Sequence, residues 1–265
     1  MEIKPQALRD ALYTTLRSKV ADLDGLLAQF GRIAAARRRR QGDRFSLTEH
    51  VRAMVLAQLA NQKPWASVAR KTPLIADAFA GFDPDLLERE EPARLVHRLR
   101  ALRAANRASA AQMAALAGNI RTLRTIEAQQ GGLDGFASSA TPPVIARRLS
   151  APASSVKLAQ IGFPLALEYL RNLGVPYVPL DPAVARMLGP ERLAWLGRES
   201  APDADAARFE AQTAADGVVS AEIDALVWLF GAAGYGGVCT PIPRCAGCTV
   251  RPACRFGASK ESAQV

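Results

Sequence analysis

Histidine is scarce in this chain and cysteine is confined. Among 265 residues there are two histidines and four cysteines, and every cysteine lies in Cys239–Cys254, reading CTPIPRCAGCTVRPAC. A disulfide framework spread through the fold is thereby excluded. His50 and His97 stand far from the cysteines in sequence, which argues against a mixed-ligand site or a histidine base. Long apolar runs are also missing. The most apolar stretch, Ile223–Val238, is interrupted by Asp224 and four glycines, too broken to cross a bilayer. The N-terminal MEIKPQALRDALYTTLRSKV has no apolar core of the signal-peptide kind. No segment sustains an alternation of period two, so strands are not expected. What remains is an expectation of a soluble, cytoplasmic, all-α protein with reduced thiols and no membrane association.

What is abundant is alanine, leucine and arginine. Lysine and arginine number 34 against 25 acidic residues, a net charge of +9. Such an excess favours polyanion partners, since each neutralised phosphate releases condensed counterions. Charge alone does not separate a nucleic-acid binder from an ordinary basic protein.

Along the chain, Leu8, Leu12, Leu16, Val20, Leu23 and Leu27 fall at helical spacing, giving one or two helices over residues 1–40. They end in Arg37–Arg40, either a solvated helix end or a phosphate-contacting patch. A new helix starts near Ser46 or Thr48 and carries VRAMVLAQLANQ. Helical segments follow at Trp65–Lys71, Leu74–Phe79, Asp85–Glu90, Pro92–Arg103 and Ser109–Gln129, the last stopped by Gly131-Gly132. A short helix at Pro142–Leu149 precedes an Ala/Pro/Ser linker, Ser150–Ser155. The second half predicts helices at Leu165–Leu173, Pro182–Leu188 and Ala221–Ala233, with 197–217 a polar, acidic loop or insertion.

The cysteines are spaced Cys-x5-Cys-x2-Cys-x5-Cys: Cys239, Cys245, Cys248 and Cys254. Four thiolates suit tetrahedral zinc or a [4Fe–4S] cluster. Structural zinc sites usually pair two short knuckles across a longer loop, whereas here one short knuckle is flanked by two longer gaps. The compact arrangement favours an iron–sulfur cluster over zinc, and disulfides less than either. Ligation by itself implies no redox role.

With these residues in view, the chain resembles the helix-hairpin-helix DNA glycosylase superfamily, in its iron–sulfur branch of endonuclease III and the adenine-mismatch glycosylases. That family ends in a four-cysteine loop with the same second and third gaps and a first gap one residue longer. Leu158-Ala159-Gln160-Ile161-Gly162 stands where the family has its Leu-Pro-Gly-Val-Gly hairpin, and Ala166 to Leu170 continue the second hairpin helix. Leu180-Asp181, Val184 and Arg186 match the segment carrying the family's essential aspartate and a following arginine. Leu56-Ala57-Gln58 resembles the early helix whose glutamine sits near the opened duplex. The resemblance spans Phe45–Cys254.

It implies a two-lobed all-α fold: N-terminal helices 1–44 packing with the cluster lobe, a helical barrel at 45–150, and a hairpin and cluster lobe at 151–265. It implies double-stranded DNA with a damaged or mispaired base as partner, a monomer, and Asp181 as the catalytic carboxylate. It also implies DNA contacts from Gln58, Lys157, Gln160, Gly162, Arg186, Arg244 and Arg251. Read from the residues alone, Asp181 before Pro182 is foremost a helix N-cap, Gly162 can be a connecting turn, and Gln58 is equally an ordinary polar position. Trp65, Trp195 and Trp228 are base-stacking candidates or, as is more usual at helical spacing, core residues. Tyr177 and Tyr235 lie beside connectors.

The departures are as informative. Where bifunctional members carry a Schiff-base lysine, this chain has Pro164, so lyase chemistry by that route is absent. Where mismatch enzymes carry a base-protonating glutamate it has Ala53, with Glu49 one turn earlier and off-register. No stretch after Cys254 resembles their recognition domain. The expected activity is therefore monofunctional hydrolysis of an N-glycosidic bond. Non-catalytic DNA binding, lyase activity through another lysine, and a zinc-containing nucleic-acid-binding module are the alternatives.

Overall fold

The computed structural model describes residues 3–61, 63–177, 182–197 and 202–259. Every regular element among them is helical. In chain order these are α1 (Pro5–Arg17), α2 (Leu23–Phe30), α3 (Arg32–Arg40), α4 (Leu47–Leu59), α5 (Trp65–Ala69), α6 (Thr72–Ala78), α7 (Pro84–Arg89) and α8 (Pro92–Ala101). They continue with α9 (Ser109–Gln129), α10 (Leu133–Ser138), α11 (Pro142–Ser150), α12 (Phe163–Asn172), α13 (Pro182–Leu188), α14 (Pro202–Ala215), α15 (Ser220–Gly231) and α16 (Arg255–Ser259). Among the described residues, no helix is long and apolar enough to cross a membrane.

The chain divides into two compact units, residues 1–28 with 176–265, and residues 29–175. These boundaries differ from the expected 1–44, 45–150 and 151–265. The first α-helical arm ends earlier because Gly31 adopts φ 72°, a left-handed turn that separates α2 from α3. Residues 1–40 thus form three helices rather than one or two. α3 then joins the second unit through buried charge. Its Arg32 pairs with Glu168 of α12, and Arg171 closes on the same carboxylate at 2.5 Å. The hairpin segment stays in that unit as well, because α12 packs along α4 and α11.

Within the discontinuous unit, α1 buries Leu8, Leu12 and Leu16, one stripe at successive turns, against α15. Each such side chain contributes about 2 kcal/mol by burial. α15 returns Ile223, Leu226, Leu229 and Phe230 to the same core and also supports α13. Residues 197–217, expected as a loop, contain α14. Its acidic sequence hides an apolar stripe, since Ala206, Phe209 and Thr213 are buried and Asp205 is satisfied by the Gly197 amide and Arg208. The ring of Phe209 lies against Trp195.

The continuous unit is built around α4 and α9. Ser46 caps α4 in a capping box with Glu49, fixing the start that the sequence placed at Ser46 or Thr48. α9 occupies the predicted Ser109–Gln129, and Gly131 and Gly132 leave it with φ 70° and 99°. α10, which the sequence did not suggest, follows at once and anchors a polar network. Asp134 accepts from Arg39 Nη2 at 2.7 Å and from the Phe45 amide, tying α3 and the start of α4 to α10.

Candidate metal centre and nucleic-acid interface

The four cysteines follow α15 directly. After Gly231 the chain turns back, and Val238 and Cys239 both donate to the Phe230 carbonyl, at 2.9 and 3.3 Å. Gly231 suits this bend, because a Cβ there would lie 3.2 Å from the Cys239 carbonyl oxygen, a tight approach. Arg186 of α13 holds the same carbonyl, its Nε donating at 2.9 Å. Two short 3-10 turns, Cys245–Gly247 and Arg251–Ala253, then carry Cys245 and lead into Cys248 and Cys254. α1 grips the loop from the other side. Thr249 Oγ1 donates to the Ala11 carbonyl at 2.8 Å and meets Thr15 Oγ1 at 2.7 Å.

All four cysteines are free thiols and line one small pocket, together with Met187, Val238, Val250 and Phe256. Among the described residues, no group of three or more His, Cys, Asp or Glu side chains is gathered tightly enough to hold one metal ion. Burial pushes the Cys248 thiol up to about 11, opposed by the Val250 amide and reinforced by the charges of Cys239, Cys254 and Cys245. Burial also raises Cys239, against the pull of Arg192 and Arg186. Arg192, which the sequence reading passed over, places Nη1 2.5 Å from Cys239 Sγ, with its guanidinium over the Phe256 ring.

The hairpin is exposed and strained where the resemblance placed a glycine. Gln160 has φ 58°, and the Ile161 amide donates to Leu158 across the turn at 3.3 Å. Ala159, Gln160 and Gly162 are exposed, with Lys157 exposed just before them. Leu158 and Ile161 are buried and anchor the turn from beneath. Asn119 of α9, another residue the sequence did not single out, holds Ala159 by both its backbone groups. Pro164 is exposed at the start of α12, where the amine of a bifunctional member is expected. Ala53 is buried, and its carbonyl accepts from Asn172. Glu49 offers no acid in its place. Burial favours its neutral form, but Arg38, bonded to it at 2.6 Å, and Ser46 outweigh that and hold it below the usual carboxylate range.

Other expected contacts stand differently. Gln58 is fully buried, and neither polar atom of its amide has a hydrogen-bond partner among the described residues. Its backbone carbonyl accepts from the Asn106 and Gln112 side chains and from the Asn61 amide. In this conformation Gln58 cannot reach a duplex. Arg186 is committed to the Cys239 carbonyl, a role in shaping the loop. Arg251 is half-buried, and Arg244 is exposed. Asp181 and Leu180 lie outside the described residues, whereas α13 begins at Pro182 as predicted. Trp195 is core, with Trp65 and Trp228 half-buried; Trp65 Nε1 donates to the Phe30 carbonyl, and Trp228 lies against Tyr235. His50 is buried and not isolated. Its Nδ1 meets the Tyr169 hydroxyl at 2.5 Å and its Nε2 lies 3.6 Å from Asp134.

Compared with protein-family models, with curated proteins and with solved structures, the chain matches none.

Proposed function

We propose that the protein is a monofunctional DNA glycosylase that hydrolyses the N-glycosidic bond of a damaged base, with Asp181 as its catalytic carboxylate. The observation that carries this reading is the hairpin. A residue other than glycine is held at φ 58° at the tip of an exposed Leu158–Gly162 turn opening into α12. Such a turn offers backbone amides and a helix start to a phosphate without reading sequence. The basic charge of the chain supports the same partner, double-stranded DNA carrying a damaged or mispaired base, bound by a monomer.

Asp181, one residue before α13, stabilises the positive sugar that forms as the bond breaks and orients the attacking water. Pro164 supplies no amine, so the product is an abasic site and the strand stays intact. With Ala53 in place of an acid and Glu49 paired with Arg38, neither of these positions on α4 supplies a proton to the leaving base. The fitting substrate class is a base that already carries positive charge, such as an N-alkylated purine, which departs without protonation.

Four cysteines within sixteen residues, one short knuckle between two five-residue gaps, favour a [4Fe–4S] cluster over zinc. When bound, the cluster supplies a rigid loop. Cys239, Cys245, Cys248 and Cys254 hold it, and the reaction at the sugar uses no electron from it. Iron and sulfide analysis with a broad visible absorption band, on protein purified without oxygen, tests the cofactor. For the reaction, duplexes bearing single alkylated, oxidised or deaminated bases are incubated with the protein and assayed with and without alkali. Alkali-dependent breaks are expected at one lesion class, and Asp181→Asn lowers their rate about 100-fold or more. Undiminished release by Asp181→Asn would exclude the assigned role. Strand breaks without alkali that vanish in Lys157→Ala would exclude a monofunctional enzyme.

A further inference from the structure

Ile242 is 87% exposed, far more than any other large apolar side chain among the described residues. A single exposed aliphatic residue is ordinary on a protein surface. This one is unusual in how it is held. It stands between Pro241 and Pro243 at the tip of the Cys239–Cys245 loop. Each proline fixes its own φ, and Pro243 restricts Ile242 to extended backbone. Thr240 Oγ1 donates to the Ile242 carbonyl at 2.5 Å, and the Arg244 amide closes the loop onto the Val238 carbonyl at 2.9 Å. Both ends of the loop are cysteines that line the metal cavity. The side chain is thus presented on backbone that has little freedom left to lose, so docking it costs little ordering entropy.

The surroundings select the partner. From Ala225 to Lys260 the sequence contains no aspartate or glutamate, and Arg244, Arg251 and Arg255 lie within or beside the cysteine loop. Arg244 and Arg255 are exposed. A rigid apolar knob two residues from the exposed Arg244, with no carboxylate near it in sequence, is complementary to a polyanion that also has an apolar interior. Duplex DNA has that character at its base steps, and aliphatic side chains inserted there unstack neighbouring pairs.

We infer that Ile242 is a wedge that enters the duplex at a base step from the groove side while Arg244 holds an adjacent phosphate. The inference rests on the DNA-binding part of the reading above and adds to it a contact that bends or opens the duplex. It assigns the cysteine loop a mechanical task, the rigid delivery of an aliphatic side chain.

The test uses the full-length, metal-loaded protein. The probe is a duplex with a tetrahydrofuran abasic analogue and 2-aminopurine placed in turn at each neighbouring step. At saturating wild-type protein, fluorescence rises at one step beside the analogue, reporting unstacking. Ile242→Ala removes that rise and weakens binding about tenfold, whereas Ile242→Leu restores most of both. Arg244→Ala weakens binding, lowers the salt dependence by about one counterion and keeps the rise at saturation. Retention of the fluorescence rise by Ile242→Ala at saturation overturns the wedge and leaves DNA binding standing. Absence of any binding by the wild-type protein overturns both. Ile242 lies outside the core, so its truncation is expected to leave the fold intact, and equal thermal midpoints of the two proteins verify this.

Discussion

Asn119 grips Ala159 with both ends of its side-chain amide. Nδ2 donates to the Ala159 carbonyl at 2.9 Å, and Oδ1 accepts the Ala159 amide at 2.7 Å. The hairpin is thereby fixed by a residue forty positions upstream, from the centre of α9. Asn119 itself is buried, so neither bond is readily replaced by water. Substitution by leucine is expected to cost about 2 kcal/mol, one unit for each hydrogen bond lost. Urea unfolding measures this, and DNA affinity should fall with it because the turn loses its register.

Relief of backbone strain should work the other way. Gln160 occupies a left-handed conformation at φ 58°, which only glycine adopts without cost. Gln160→Gly is expected to raise stability by about 1 kcal/mol, and Gln160→Val to lower it by at least as much. Thermal unfolding of the three proteins checks the order.

Gln58 gives a third prediction. Its amide is buried with neither polar atom bonded among the described residues, which costs about 1–3 kcal/mol per unsatisfied group. Gln58→Leu should therefore be neutral or stabilising, an unusual result for a core substitution. A higher denaturation midpoint together with lower base release would mean that the glutamine acts only after α4 and its surroundings have opened.

Acid should loosen the continuous unit. Burial alone would raise Asp134, but His50 beside it, the Phe45 amide and Arg39 bring it to about 2. Burial likewise opposes the charge on Glu168, and Arg32 and Arg171 overcome it, again to about 2. Both folded values lie below the ordinary 3.8 and 4.5. Their stabilisation is complete above those values and is lost as pH falls toward 2. Asp134→Asn and Glu168→Gln together should flatten that part of the stability curve, as followed by circular dichroism in urea between neutral pH and pH 2.

Removal of the proposed cluster should act on the discontinuous unit. Thr249, Thr15 and Ala11 join the cysteine loop to α1, and Arg186 joins it to α13. Loss of the cluster leaves four partly buried thiols and a loop without its brace. Hydrogen exchange is expected to rise first in α1, α13 and the loop, with α4 and α9 unchanged. Arg186→Gln should shorten the lifetime of bound iron under chelator even before any change in activity.

Much of the helical architecture is local chemistry and could be read directly. Ser109–Gln129 ends at two glycines, Pro182 starts α13, and the spacing of Leu8, Leu12 and Leu16 defines a buried stripe whatever they pack against. The clustering of the cysteines is likewise a fact of sequence, and so is the lack of an amine at Pro164. α14 was hidden because its buried face carries Asp205 and Thr213 beside Ala206 and Phe209, so the sequence shows no clear apolar stripe. The break at Gly31 was hidden because a single glycine in a helical pattern does not announce the sign of its φ.

What only the tertiary structure decided are the partners. Sequence spacing could not show that Arg186 turns to a backbone carbonyl, that Arg192 reaches a cysteine sulfur, or that Asn119 clasps the hairpin. Nor could it show that Gln58 is sealed inside while Ile242 stands in solvent. Periodicity reports which face of a helix is apolar. Which polar group a buried side chain finds depends on residues brought together from distant parts of the chain, and loop exposure depends on what packs beside it.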